Sequence, residues 1–450
     1  MRRFEFREGK SNKFWEIEVD GSTLRTRHGR IGTAGRESQK PYGTPASAAR
    51  QAESAIASKL KKGYVEVDSA TPAEPKASEP EPDTPLAALE RKLIADPQAY
   101  DDWLVYADAL ATAGDPRGEL ITIGVALARE QGDAKQLRAR EDALLQANAE
   151  AWFGKFVSDD DWRECFGWTL STGFWGRIRF WVDYDHTGTD IPKALAYALS
   201  HPSAKFLREL VLGLTSAEGD ADYDGCIRAL INHGPLPSLR TLMIGDFERD
   251  ESEISWVQVG NVGPLWPLIP NIEHLTLRGA GIRLGSPKST TLRSLTIHTG
   301  GLPQAAGQAL GRAELPALER LVVWFGTTHY GGSCSAAEAR GILQNKSFAQ
   351  VRSLALADAD FADEIAAEVA QAELWPALER LDLSMGTMTD AGAERLLARA
   401  KQLARLAHID LSENFLSPQM CDRIRAALPN AKVDSQKHDD GDWRYVSVGE

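Results

Sequence analysis

Cysteine is scarce in this chain: 450 residues hold four, Cys165, Cys226, Cys334 and Cys421, and no two of them form a C-x-x-C pair. Such spacing excludes a disulfide framework and a zinc site, so the four are read as reduced thiols, mostly in the core. Long apolar runs are missing as well, and nothing approaches the roughly 18 residues that a membrane-spanning helix needs. The opening MRRFEFREGK mixes charges with two phenylalanines and leads into no apolar stretch, so no secretory signal is read and the chain is expected to be cytoplasmic. Catalytic signatures are absent too: there is no G-x-x-x-x-G-K-[ST], no H-E-x-x-H and no G-x-S-x-G. The nine histidines are scattered, and His329 near Cys334 in HYGGSC has no third partner and reads as a loop. The carboxylate pairs Asp358/Asp360 and Asp439/Asp440 read as solvated turn or tail residues. No enzyme, no metal and no cofactor is expected.

What is present describes a multidomain globular chain. An apolar fraction of 43% with 26% charged residues excludes wholesale disorder, and the length allows several domains. The net charge of −13 is unevenly spread: residues 1–64 carry +7 and the remainder −20. Nucleic acid and anionic membranes repel an acidic body, so any phosphate contact belongs to the basic head. Between Val67 and Pro85, five prolines and five acidic residues leave little to bury, and residues 68–85 read as a semi-rigid linker.

In residues 1–67, FEFRE, KFWEIEVDG and STLRTRHGRIG alternate apolar and polar residues between glycine-bearing turns, the period of three antiparallel strands. A turn-rich KPYGTP follows, then ASAARQAESAIASKLKKGY, whose Ala49, Ala52, Ile56 and Leu60 share one helical face before Gly63 stops the helix. The KFWEIE strand, the xGRIG turn and the KLKKGY helix end resemble the WGR domain. In that family, best known as the DNA-break-sensing module of some poly(ADP-ribose) polymerases, a Trp packs on a nucleotide sugar, an Arg meets phosphate and an Asn-Lys pair adds contacts. The resemblance implies nucleic-acid contacts from Asn12, Lys13, Arg25, Arg27, His28, Gly29, Arg30 and Lys40, with His28 standing where the family has Trp. No transferase portion follows, so only the binding half carries over. A structural role for Arg30 in closing the sheet is the competing reading.

Residues 86–150 are read as a short helical domain. Leu86, Leu89 and Leu93, then Trp103, Leu104, Ala107 and Leu110, fall at helical spacings, with a turn at Ala113-Gly114-Asp115-Pro116. Trp103, Tyr106, Asp108, Asp115, Pro116, Arg117, Gly118 and Glu119 resemble a bacterial repeat-companion domain that has no assigned chemistry. Asp108, Arg117 and Glu119 are expected to form a buried ion-pair network at the helix turn.

From residue 206 to 434 the pattern L-x-x-L-x-L recurs eight times, opening at Leu207, Leu239, Ile272, Leu292, Leu318, Val351, Leu378 and Leu406. Successive copies start 32, 33, 20, 26, 33, 27 and 28 residues apart, room for a parallel strand and a helical or irregular return. The copies resemble helix-bearing leucine-rich repeats, with Asn414 where that family has its ladder Asn and with repeats three and four poor in helix. The fold class expected is therefore a small antiparallel sheet plus helix, a short helical domain and an α/β leucine-rich-repeat solenoid with parallel strands. Residues 151–205, rich in aromatics, are expected to cap it, and 435–450 to add a terminal strand.

In the repeat frame His274, Arg278, His298, Arg320, Trp324, Arg380 and His408 point to the concave side, and Trp324 with Phe325 is unusual for a solvated strand end. Trp and Arg dominate binding hot spots, so this surface is expected to hold a basic or neutral protein partner, unless Trp324 folds onto the next repeat. The chain thus reads as a bacterial adaptor: a head that docks DNA, RNA or a protein, and a solenoid that binds protein. The alternative is a protein-only scaffold or regulatory subunit, for example in stress or phage-defence signalling.

Overall fold

The computed structural model describes residues 2–8, 11–20, 23–30, 36–41, 44–62, 64–67, 84–182, 188–217, 221–438 and 443–449. They divide into two compact units, at Pro82 and Asp83. Most of the proline-rich linker lies outside the described residues.

The first unit is an antiparallel sheet in the order β4-β3-β2-β1-β5, formed by β1 (Arg2–Glu8), β2 (Ser11–Asp20), β3 (Thr23–Arg30), β4 (Arg36–Pro41) and β5 (Val65–Val67). Three strands were expected; β4 runs into the first two residues of the KPYGTP segment, and β5 returns after the helix to pair with β1. That helix, α1 (Pro45–Lys61), starts at a capping box in which Thr44 and Ser47 satisfy each other's backbone N–H, with Pro45 in the first turn. Its Ala52 and Ile56 pack against Phe4, Trp15, Ile17 and Leu24 of the sheet. Leu60, expected on the same face, is 46% exposed, because the last turn runs past the edge of that core.

The second unit opens with α2 (Pro85–Ala95), α3 (Tyr100–Thr112), α4 (Arg117–Ala128) and α5 (Ala134–Ala147), the α3–α4 break falling at the expected turn. These helices share a core with residues farther along the chain: Trp103 and Tyr106 of α3 make edge contacts with Phe206, and Phe174 joins the same cluster. An eleven-stranded sheet then runs in chain order, β6 to β16. Its antiparallel hairpin, β6 (Phe166–Ser171) and β7 (Phe174–Phe180), comes from the aromatic segment. All the remaining pairings are parallel: β8 (Glu209–Leu212), β9 (Thr241–Ile244), β10 (His274–Arg278), β11 (Ser294–His298), β12 (Arg320–Gly326), β13 (Ser353–Ala359), β14 (Arg380–Asp382), β15 (His408–Asp410) and β16 (Ala431–Lys432). Each of the eight L-x-x-L-x-L copies supplies one strand from β8 to β15, and their central leucines stack in one register: Leu210, Leu242, Leu275, Leu295, Leu321, Leu354, Leu381 and Ile409.

Because consecutive strands are neighbours and connections of one hand return to one side, the helices gather on one face. Leu195, Ile227, Leu310, Ile342, Ile365, Leu396 and Ile424 from those helices join the strand leucines in a continuous core. One return differs from expectation. Repeat four carries a helix, Gln304–Gly311, since Pro303 precedes its first turn, where a missing N–H costs nothing. Repeat two has none among the described residues, only a 3-10 turn at Gly263–Leu268.

Residues 443–449 form no strand. Their backbone instead binds strand ends: Ser447 N–H donates to the Met385 carbonyl and Val448 N–H to the Asp358 carboxylate, both at 2.9 Å. The apolar alternation of the tail buries Val446 and leaves Trp443 and Tyr445 exposed.

Candidate functional site

In the N-terminal sheet, cross-strand register sorts the candidate residues onto two faces. Trp15, Ile17 and Leu24 face α1, so Phe14, Glu16 and Glu18 face away, and with them Gly29, Arg27 and Arg25, their partners on β3. On that outer face Arg27 donates from Nε to the buried Glu16 carboxylate at 2.7 Å and lies over the Phe14 ring. Its Nε is paired within the sheet, while the side chain as a whole stays 40% exposed.

A basic cluster forms at the other side, where α1 ends. Lys59 lies 5.1 Å above the Trp15 ring and 4.7 Å above the Tyr64 ring. Burial against those rings lowers its pKa, and the positive charges of Lys62 and Lys13 lower it further. His28 is exposed in register opposite Trp15, and Lys13 stands opposite Arg30. Lys40 is exposed opposite Leu24 on β4. The side chains of Asn12 and Arg30 lie outside the described residues. Lys59 escaped the sequence reading because nothing in a run of helical lysines marks the one that folds back over a tryptophan; its i−3 position to Lys62 was the available signal.

In the second unit the expected network at Asp108, Arg117 and Glu119 does not form. Arg117, 5% exposed, donates to Ser203 Oγ at 3.0 Å and lies over the Phe174 and Trp152 rings, while burial lowers its pKa. Glu119 faces outward to a bidentate pair with Arg140, and Asp108 is exposed. The three are separated because positions 117 and 119 fall on different faces of α4.

Strand alternation places His274, Arg278, His298, Arg320, Trp324, Arg380 and His408 on the face of the large sheet opposite the leucines. Phe325 does not join them. One residue beyond Trp324 it points to the core, is 1% exposed and meets Phe361 edge-on at 5.2 Å. Trp324 and His298 stack at 3.8 Å, the indole partly covered. Burial, with Arg278 and Arg320 close by, pushes the His298 imidazole down to about 4, so it is neutral at pH 7. Arg278 leans over Phe247 at 4.9 Å.

Asp358, expected in a solvated turn, is fully buried with φ 51°, and its carboxyl is pushed up to about 7 by burial. Asp439 and Asp440 lie outside the described residues. Beside the tail a cleft of about 600 Å³ is lined by Asp360, His329, Tyr330, Trp443 and Tyr445 among others. His329 meets Trp443 edge-on at 6.4 Å, while the Cys334 thiol donates to the Pro303 carbonyl and is pushed up to about 12 by burial. Among the described residues no group of three His, Cys, Asp or Glu side chains could hold a metal ion, and no helix is long and apolar enough to cross a membrane.

The small sheet, its single helix and the lysines at the helix end define an accessory module of known type: residues 1–71 match the WGR domain family, and the N-terminal unit is a WGR domain. Related segments occur in two proteins of Escherichia coli strain K12, the uncharacterized protein YfeS, 37% identical over 65 residues, and protein YehF, 41% identical over 66 residues. These alignments cover 14% and 15% of this chain and 27% and 24% of the relatives, so the chain spans about a quarter of the length of the curated relatives it matches. A crystal structure of a Bacteroides fragilis protein from the Northeast Structural Genomics Consortium aligns over 100% of this chain and 99% of that one, with a TM-score of 0.53 at 20% identity, a likeness of fold.

Proposed function

We propose that the chain is a non-enzymatic adaptor in which the WGR domain docks nucleic acid and the larger unit, a degenerate leucine-rich-repeat solenoid, binds a protein on its open face. The observation that carries the first half is the convergence of Lys13, Lys59 and Lys62 beside the exposed His28 in a domain of this family. Clustered lysine ammoniums suit phosphate, and an exposed imidazole can stack on a sugar or base. The solenoid reading draws on the single leucine register and on Asn414. Fully buried, Asn414 donates to the Leu383 and Leu411 carbonyls and accepts from Met388 N–H, tying neighbouring turns together.

The test is fluorescence anisotropy of labelled duplex with a 5′-phosphate end, single-stranded DNA and RNA, titrated with the full chain at two salt concentrations. Log affinity should fall against log salt with a slope of about −0.9 for each duplex phosphate contacted, and Lys13→Ala with Lys59→Ala should flatten it by about 2. Binding indifferent to those substitutions overturns the docking role. The Arg27–Glu16 pair favours a second reading, a protein-only scaffold, because it withdraws one arginine from the basic face. That reading gains if no nucleic acid binds at low salt.

A further inference from the structure

We propose that the open face of the large sheet takes an acidic segment of its protein partner, gripped by Arg320 and Arg380 beside the His298–Trp324 stack. The inference rests on the reading of that face as a binding surface and adds the chemistry of the occupant.

Several arginines of this unit are paired from one repeat to the next. Arg240 meets Glu273 at 3.4 Å, Arg293 meets Glu319 at 2.5 Å and Arg352 meets Glu379 at 2.8 Å, one ladder beside the starts of the strands. On the helical side Arg340 pairs with Glu368 at 2.6 Å, and Arg423 pairs with Glu394. Arg320 and Arg380 have no such partner among the described residues. Each opens its strand on the uncovered face, each is exposed, and among the described residues no carboxylate lies within ion-pair distance of either. They share one register row, Arg320 opposite Ser353 and Ser353 opposite Arg380, so two strand spacings of roughly 4.8 Å hold them about 10 Å apart.

The surroundings suit carboxylates. A guanidinium offers a planar fork that matches a carboxylate bidentately, and two arginines rooted about 10 Å apart match acidic side chains three residues apart on a polyproline II segment, whose three residues per turn at about 3.1 Å each put both on one side. The half-covered indole of Trp324 supplies a flat apolar platform two residues along β12 from Val322 and four from Arg320. Acidic groups on the same face are already engaged: Asp382 accepts from Ser384 N–H at 2.9 Å, and Asp410 accepts from Ser412 N–H and from Lys432 Nζ. The unit's negative net charge does not forbid an acidic visitor, because at physiological salt charges beyond about 8 Å are largely screened and the contacting groups decide.

The experiment is selection of a random twelve-residue peptide display library against the immobilised full chain, with enriched peptides synthesised and titrated against wild type, R320E/R380E and W324A. Expected are acidic peptides whose affinity falls at least tenfold in R320E/R380E, falls in W324A, and weakens as salt is raised. Enrichment of basic or uncharged peptides that still require Trp324 overturns the acidic occupant and leaves the binding face standing. No enrichment, or enrichment indifferent to both variants, overturns the binding face as well.

Discussion

The two units carry opposite charge, +3 over residues 1–82 and −16 over residues 83–450, yet their arginines behave against that sign. In the basic head Arg27 is paired with a buried glutamate of the sheet, whereas in the acidic unit Arg320 and Arg380 stand exposed without a carboxylate partner among the described residues. Net charge therefore describes each unit's long-range field, while register decides which charges remain for a ligand. The lysines teach the same point: Lys62 is exposed just past the end of α1, whereas Lys59 folds back over the Trp15 and Tyr64 rings.

Substitutions that separate the two faces of the large sheet give the largest effect. Phe325→Ala, on the core side, should cost about 3–5 kcal/mol in denaturant unfolding of the second unit, whereas Trp324→Ala, next along the same strand, should cost about 1 kcal/mol. Equal costs would mean that alternation along β12 does not separate core from open face. Asn414→Ala should cost about 2–3 kcal/mol by the same measurement, since it strands buried carbonyls of two turns. The head should lose less from its internal pair: a double-mutant cycle of Glu16→Ala and Arg27→Ala should give a coupling on the order of 1 kcal/mol, with Arg27 partly exposed. A coupling near zero would return Arg27 to the pool of ligand-facing residues.

A pH dependence of the second unit is expected as well. Asp358 holds its proton up to about pH 7 when folded and to 3.8 by its ordinary value, so the folded state binds more protons between those limits and stability falls as pH rises from about 4 to 7. Lys437, pushed down to about 8 mainly by burial, against an ordinary 10.5, binds fewer protons when folded, so stability rises with pH from about 8 to 10.5. Thermal melts across that range check both slopes. Asp358→Asn should remove the first, and a retained slope would place the titrating group elsewhere.

Much of this was legible. The L-x-x-L-x-L frame located every strand from β8 to β15, since a buried strand position must be apolar and the spacing repeats, and the WGR motif located the head. Phe325 was misplaced because the aromatic pair Trp324-Phe325 was read as one feature, although adjacent strand residues face opposite ways. Leu60 and the tail failed for a related reason: a periodic pattern says which residues share a face, and only the partner's extent says whether that face is covered. Asp358 looked like a turn carboxylate, and only the return of residues 446–448 from far along the chain buried it.

The amino-acid sequence by itself determined the family of the head and the stack of strands, because composition and period are local properties that each segment carries with it. Tertiary structure alone decided which charges are neutralised, which histidine stays uncharged and where the chain end is tied, because those depend on distances of a few ångströms between residues far apart in sequence.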